Sequence, residues 1–118
     1  MCASDQNESR ALQALVDILE NALRVGADAI ELEYEGSGLQ VCYMFGSMGL
    51  GSVIVDRDLE RGIIATLVER AGLDRRSRGT MRIDLHGEQR VVIVEEYESF
   101  GEPAFRLSLA KPRGKRRQ

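Results

Sequence analysis

The chain has 118 residues, of which 43% are hydrophobic and 30% charged, and a formal net charge of −3 at pH 7. That length fits one domain with a single core, and the composition is that of a globular chain rather than a disordered or disulfide-stapled one. The charge is uneven: Lys111, Arg113, Lys115, Arg116 and Arg117 crowd the last eight residues, and without them the remainder carries −8, which argues against a broad nucleic-acid footprint on the body.

Residues 1–8 are polar and are expected to form a flexible leader. They contain no apolar signal-peptide region, and no apolar run reaches the ~20 residues of a membrane helix, so a cytoplasmic location is expected. Ser9 caps an expected helix over about 10–25, with Leu12, Leu15, Val16, Leu19, Ala22 and Leu23 at helical spacing. Gly26 ends it.

From Ala29 the period changes to two. Ile30, Leu32 and Tyr34 alternate with Glu31, Glu33 and Glu35, the pattern of a half-buried strand. Gly36-Ser37-Gly38 reads as a turn, and Leu39 to Phe45 as the second strand. Gly46-Ser47-Met48-Gly49-Leu50-Gly51 reads as a flexible connection, leaving Ser52 to Val55 as a short third strand. Asp56 or Asp58 then caps a second helix. Its stripe is Leu59, Ile63, Ile64, Leu67, Val68 and Ala71. Gly72 supplies the left-handed residue that stops it, and Leu73 folds back onto the last turn.

A basic loop, Arg75-Arg76-Ser77-Arg78-Gly79, precedes a strand over Thr80 to His86. Arg90 to Tyr97 contains Val91-Val92-Ile93-Val94, apolar on both faces, which predicts a strand in the interior of the sheet. The segment 98–103 reads as a loop before a last strand, Ala104 to Ala110. The order α-β-β-(β)-α-β-β-β, with short turns, predicts an α+β domain over 9–110. Two helices pack on a largely antiparallel sheet of five to six strands, followed by a flexible basic tail, 111–118. Leu67, Val68 and Ile93 are expected between helices and sheet.

Several local motifs, taken together in order, are similar to the N-terminal domain of type II secretion and type IV pilus assembly ATPases. Ala71-Gly72-Leu73-Asp74 matches that family's helix end without change. Gly26-Ala27-Asp28-Ala29-Ile30 resembles its Gly-Ala-Ser-Asp turn and first strand, with Glu31 in place of the usual His. Cys42-Tyr43-Met44-Phe45-Gly46 stands where the family has Arg-Tyr-Arg-Ile-Asp-Gly, and Gly101-Glu102 with Phe105-Arg106-Leu107 resembles its final loop and strand. The Pro-Gln-Asp-Gly segment is shortened to Arg75 through Gly79, and a strand end that carries Arg in the family reads here as Val94-Glu95-Glu96-Tyr97. The resemblance covers roughly 11–110 and implies a bacterial, stand-alone relative without the ATPase motor. It also implies a regulatory or docking role on secretion or pilus machinery, since one candidate position for the arginines that reach toward nucleotide in the family is acidic here, near Glu95, and the Gln-Asp-Gly element is gone.

The residues themselves supply no catalytic arrangement, cofactor site or metal site. A phosphate loop needs Gly, four residues and Gly-Lys-Ser/Thr, and the lone Gly-Lys pair, Gly114-Lys115, has neither the first Gly nor the hydroxyl. The Gly-rich stretch 46–51 lacks a cationic partner and reads as a turn rather than a phosphate cradle. His86 is the only histidine; with Cys2 and Cys42 it shows no zinc spacing, and both cysteines read as free thiols in a reducing compartment. A Cys42–His86 nucleophile pair would require the fold to bring the two together. The function expected is therefore a non-catalytic protein-interaction module, with the acidic stripe Glu31, Glu33 and Glu35 as candidate docking residues for a basic partner. The alternative is anion binding, of nucleic acid or acidic lipid. It would use Arg75, Arg76 and Arg78 with Lys111, Arg113, Lys115, Arg116 and Arg117, by counterion release.

Overall fold

The computed structural model describes residues 3–35 and 38–110. The order is α1 (Ala3–Val25), β1 (Ala29–Glu35), β2 (Gly38–Phe45), β3 (Met48–Ile54), α2 (Arg57–Ala71), β4 (Arg78–Leu85), β5 (Glu88–Ser99) and β6 (Glu102–Leu109). All six strands form one antiparallel sheet in the order β3-β2-β1-β6-β5-β4, so the expected α+β class holds. The first and last strands pair at the centre, Ile30 opposite Leu107 and Leu32 opposite Phe105.

Both helices lie on one face of the sheet. That face presents Ile30, Leu32, Val41, Val92, Val94 and Phe105, each at most 2% exposed. Onto it α1 places Leu15, Ile18 and Leu19, and α2 places Ile63, Leu67 and Ala71. The buried line of α1 is turned slightly from the expected stripe: Ala11 and Ile18 are inside, while Leu12, Val16 and Leu23 are half-buried. Val68 is likewise half-buried, and Glu60 joins the buried line of α2.

The helix signals of α2 act as the sequence implies. Asp56 accepts from the backbone N–H groups of Asp58 and Leu59 at 3.0 and 3.1 Å, filling two of the orphan donors at the helix start. Gly72 adopts φ 69°, ψ 41°, donates to the Val68 carbonyl, and sends Leu73 back into the core at 6% exposure. Gly79 has a different reason: a Cβ there would stand 1.9 Å from the Ala71 carbonyl oxygen, so glycine is what lets β4 approach the end of α2.

Several expectations need correction. Helix α1 starts at Ala3, not after a Ser9 cap, so the domain reaches into the expected leader; Ala, Gln and Glu there all suit a helix. The Gly-rich connection is a two-residue turn, Gly46-Ser47, followed at once by β3 from Met48. The Gly46 N–H donates to Asp28 at 2.6 Å, and the Asp28 N–H to the Met44 carbonyl at 2.8 Å, pinning that turn to the α1–β1 connection. The expected 98–103 loop is also a two-residue turn, Phe100-Gly101, with φ 53° and 81°. Ile93 is not between helices and sheet: alternation along β5 sends Val92 and Val94 to the core and leaves Ile93 half-buried on the opposite face. The tail 111–118 lies outside the described residues.

Candidate functional site

The face of the sheet away from the helices carries most of the polar residues singled out in the sequence. Register brings Arg78, Glu95, Arg106, Glu31 and Cys42 into one row across five strands. Signs alternate along it. Arg106 reaches Glu31 at 2.5 Å, and Arg78 reaches Glu95 at 3.5 Å. In the next row Tyr97 donates its hydroxyl to Glu33 at 3.2 Å. Two of the three candidate docking glutamates are thus already partnered within the chain, and Glu35 sits at the end of the same strand. A partner reading Glu31 or Glu33 would have to displace Arg106 or Tyr97.

This carboxylate-rich row sets the local chemistry. Tyr97 is pushed up to about 12, chiefly by burial and then by the charges of Glu31 and Glu33. Burial and the same two glutamates also raise the Cys42 thiol, so it is held as the protonated, unreactive form. Cys42 is a free thiol with its Sγ 3.6 Å from the Met44 Sδ. Its candidate partner His86 is elsewhere, in the two-residue turn between β4 and β5, where its backbone N–H donates to Glu20 of α1 at 2.7 Å. The fold does not bring the Cys42–His86 pair together.

Open grooves lie on the surface of the described residues. One, of about 400 Å³, is lined by Asp17, Glu20, Asn21, Arg24, Tyr43 and His86 beside Ile18. It contains no serine, threonine or cysteine to serve as a nucleophile, and Glu20 is engaged by the His86 backbone. Another, of about 390 Å³, has Glu96, Glu98 and Glu102 around Ser77, Tyr97, Gly101 and Pro103. Its side-chain hydroxyls, on Ser77 and Tyr97, lie among these carboxylates. Tyr34, at the end of β1, is raised by burial and by the nearby Glu60 and Glu102. Glu60 is itself only 7% exposed, and its Oε1 has no hydrogen-bond partner among the described residues. Among the described residues no group of three or more His, Cys, Asp and Glu side chains is placed to hold a metal ion. No helix there is long and apolar enough to cross a membrane.

Arg75 and Arg76 are exposed in the α2–β4 connection, whereas Arg78 is held by Glu95. Lys111, Arg113, Lys115, Arg116 and Arg117 lie outside the described residues.

The surface that the sequence analysis missed is the sheet edge at β3. Its burial is uniformly low, with Met48 72% and Leu50 67% exposed, and Val53 and Val55 also open. From Gly36 through Val55 there is no charged residue at all, in a chain that is 30% charged. That uncharged run is the sequence signal of this edge, and its glycines, which resemble a loop, mask it. The opposite edge, β4, carries Arg78, Arg82 and Asp84. A second missed feature is Phe100, fully exposed in a left-handed turn position that Asn or Gly normally takes. No protein-family model matches the chain, and comparison with curated proteins finds no relative.

Proposed function

We propose that this chain is a non-catalytic protein-interaction module that engages its partner along the β3 edge. The observation that carries the reading is that edge: a regular strand with a neighbour on one side only, no charge, and exposed Met48, Leu50 and Val53. Strand edges of this kind are ordinarily blunted by charge, proline or a bulge because they template pairing with another chain. Here all seven β3 residues pair one for one with β2, so no bulge protects it. The similarity in element order to the N-terminal domain of secretion and pilus ATPases supports a docking role on such machinery in the cytoplasm. The acidic stripe on β1 serves this reading less well than β3 does, since Glu31 and Glu33 are satisfied internally. Anion binding is disfavoured by the Arg78–Glu95 pair and by the three glutamates of the nearby groove.

A photo-crosslinking amino acid placed at Leu50, and separately at exposed Glu88 as a control, tests this in producing cells. The expected result is a discrete protein adduct from position 50 and none from position 88. Equal labelling from both, or none from position 50, overturns the reading, as does ATP hydrolysis by the purified chain above about 1 per second.

A further inference from the structure

We infer that the occupant of the β3 edge is a second copy of this chain, joined by antiparallel β3–β3 pairing centred on Gly51. The inference rests on the interaction-module reading above and names its partner. In this register residues whose numbers sum to 102 stand opposite one another, and all seven residues from Met48 to Ile54 are used. Met48 faces Ile54, Leu50 faces Ser52, and Gly49 faces Val53. A large side chain therefore meets a small one at the two inner pairs, on each face of the sheet. Glycine at position 49 is also required by its own fold, since a Cβ there would stand 2.6 Å from the Cys42 Sγ. The room opposite Val53 is thus built in.

Charge selects the same occupant. Outside the tail each copy carries −8, so most juxtapositions of two bodies bring acids together or bury ions. The run from Gly36 to Val55 is neutral throughout, and self-pairing sets neutral surface against neutral surface. Pairing through β4 would instead desolvate Arg78, Arg82 or Asp84. A charged strand from another protein would gain nothing at β3 and would lose its hydration there.

The two-fold axis of this pairing is perpendicular to the sheet. Both copies then keep their helices on one side, and the β3–β2–β1 ladder continues across the axis into a twelve-stranded sheet. A slip of one residue is excluded, because alternate residues of β3 turn their N–H and C=O groups toward β2 rather than to the open edge. A seven-residue ladder bearing Met48, Leu50 and Val53, flanked by Val55, makes a small interface. The dimer is accordingly reversible and concentration-dependent.

Analytical ultracentrifugation of the full chain over a dilution series tests the dimer, with circular dichroism as the folding check. The expected wild-type result is a monomer–dimer equilibrium. Leu50→Lys and Val53→Lys, at positions exposed in the single chain, should each weaken it at least about tenfold, and Val91→Lys on the outer face of β5 should not. Register is tested by Gly51→Cys in a Cys2→Ser, Cys42→Ser background. Mild oxidation should link two copies there and not through Thr80→Cys on the β4 edge. A monomer at every concentration overturns the inference, as does a dimer indifferent to Leu50→Lys or linked equally well at position 80. A monomer that still forms an adduct with a different protein from position 50 overturns the second copy alone and leaves the interaction-module reading standing. A monomer with no such adduct overturns both.

Discussion

The two ends of the sheet are built from the same hydrogen-bonded ladder and carry opposite kinds of surface. At the β4–β5 end, five of the nine exposed strand positions are charged, Arg78 pairs with Glu95, and Gly79 is clamped under the carbonyl of Ala71. At the β2–β3 end there is no charge, and the outermost strand is open on both faces. Helix α2 ends against the inner face of β4, where Gly79 lies under the Ala71 carbonyl, whereas Met48 and Leu50 on the same face of β3 stay uncovered. The difference teaches where charge is withheld: among the described residues, five of the nine exposed large apolar side chains, Phe45, Met48, Leu50, Val53 and Val55, lie in the uncharged run, and the other four are scattered.

The strongest way to break this comparison is to add a methyl group at each end. Gly79→Ala forces a Cβ into the Ala71 carbonyl and should cost about 4 kcal/mol or prevent folding. Gly51→Ala meets only ordinary contacts, nearest 3.4 Å from the Val41 carbonyl, and should cost under about 1 kcal/mol. Chemical denaturation of the pair decides it, and similar losses would mean that the two edges are equally constrained. Next in size, Leu67→Ala should lose about 2–5 kcal/mol from the core beneath α2, whereas Leu50→Ala, 67% exposed, should lose under about 0.5 kcal/mol.

Smaller effects sharpen the electrostatic side. Arg106 stands between Glu31 and Glu95 in the register, so Arg106→Ala leaves two carboxylates facing each other across its strand. A loss of about 1 kcal/mol is expected, shrinking in high salt. The smallest effects are in pH dependence. Asp56 is held below the usual carboxylate range by its hydrogen bond from Arg10 and by the α2 backbone N–H groups. Its contribution is present above the ordinary aspartate pKa and is lost as pH falls through the depressed one, so Asp56→Asn should flatten the acid limb of a Tm-versus-pH curve. Tyr97 has the opposite sign: its folded pKa is raised, so its contribution is complete below about pH 10 and disappears as pH rises toward 12. Glu33→Gln should bring the ultraviolet phenolate transition of Tyr97 to lower pH.

Much of this fold is legible in the sequence because two periods and two caps are strong signals. Alternation in 29–35 and helical spacing in 59–71 depend only on which side of each element meets water, and Asp56 and Gly72 mark the ends of α2 by local backbone chemistry. What was not legible is the set of tight turns and the edge. Gly49, Gly51 and Ser52 have low strand propensity, and β3 exists because β2 supplies its hydrogen bonds, a long-range fact that composition does not state. Phe100 similarly occupies a left-handed turn that its own preference opposes, because the flanking β5–β6 pairing leaves only two residues to reverse the chain. The partnering of the acidic stripe was hidden for the same reason: Arg106 lies 75 residues from Glu31 and meets it only through the β1–β6 register.

That central register has a consequence for synthesis. The first strand of the sheet waits for the last one, so on the ribosome β1 and β2 are made long before the neighbour that closes β1 on its other side. Until β6 emerges, Ile30 and Leu32 have no Leu107 or Phe105 beside them, and the nascent chain exposes two sheet edges that the finished domain hides. Loop-closure entropy across some 75 residues must be overcome before the core is sealed. Folding is therefore a late, whole-domain event, and chains stopped within β6 should be substrates for chaperones and proteases rather than partly working modules.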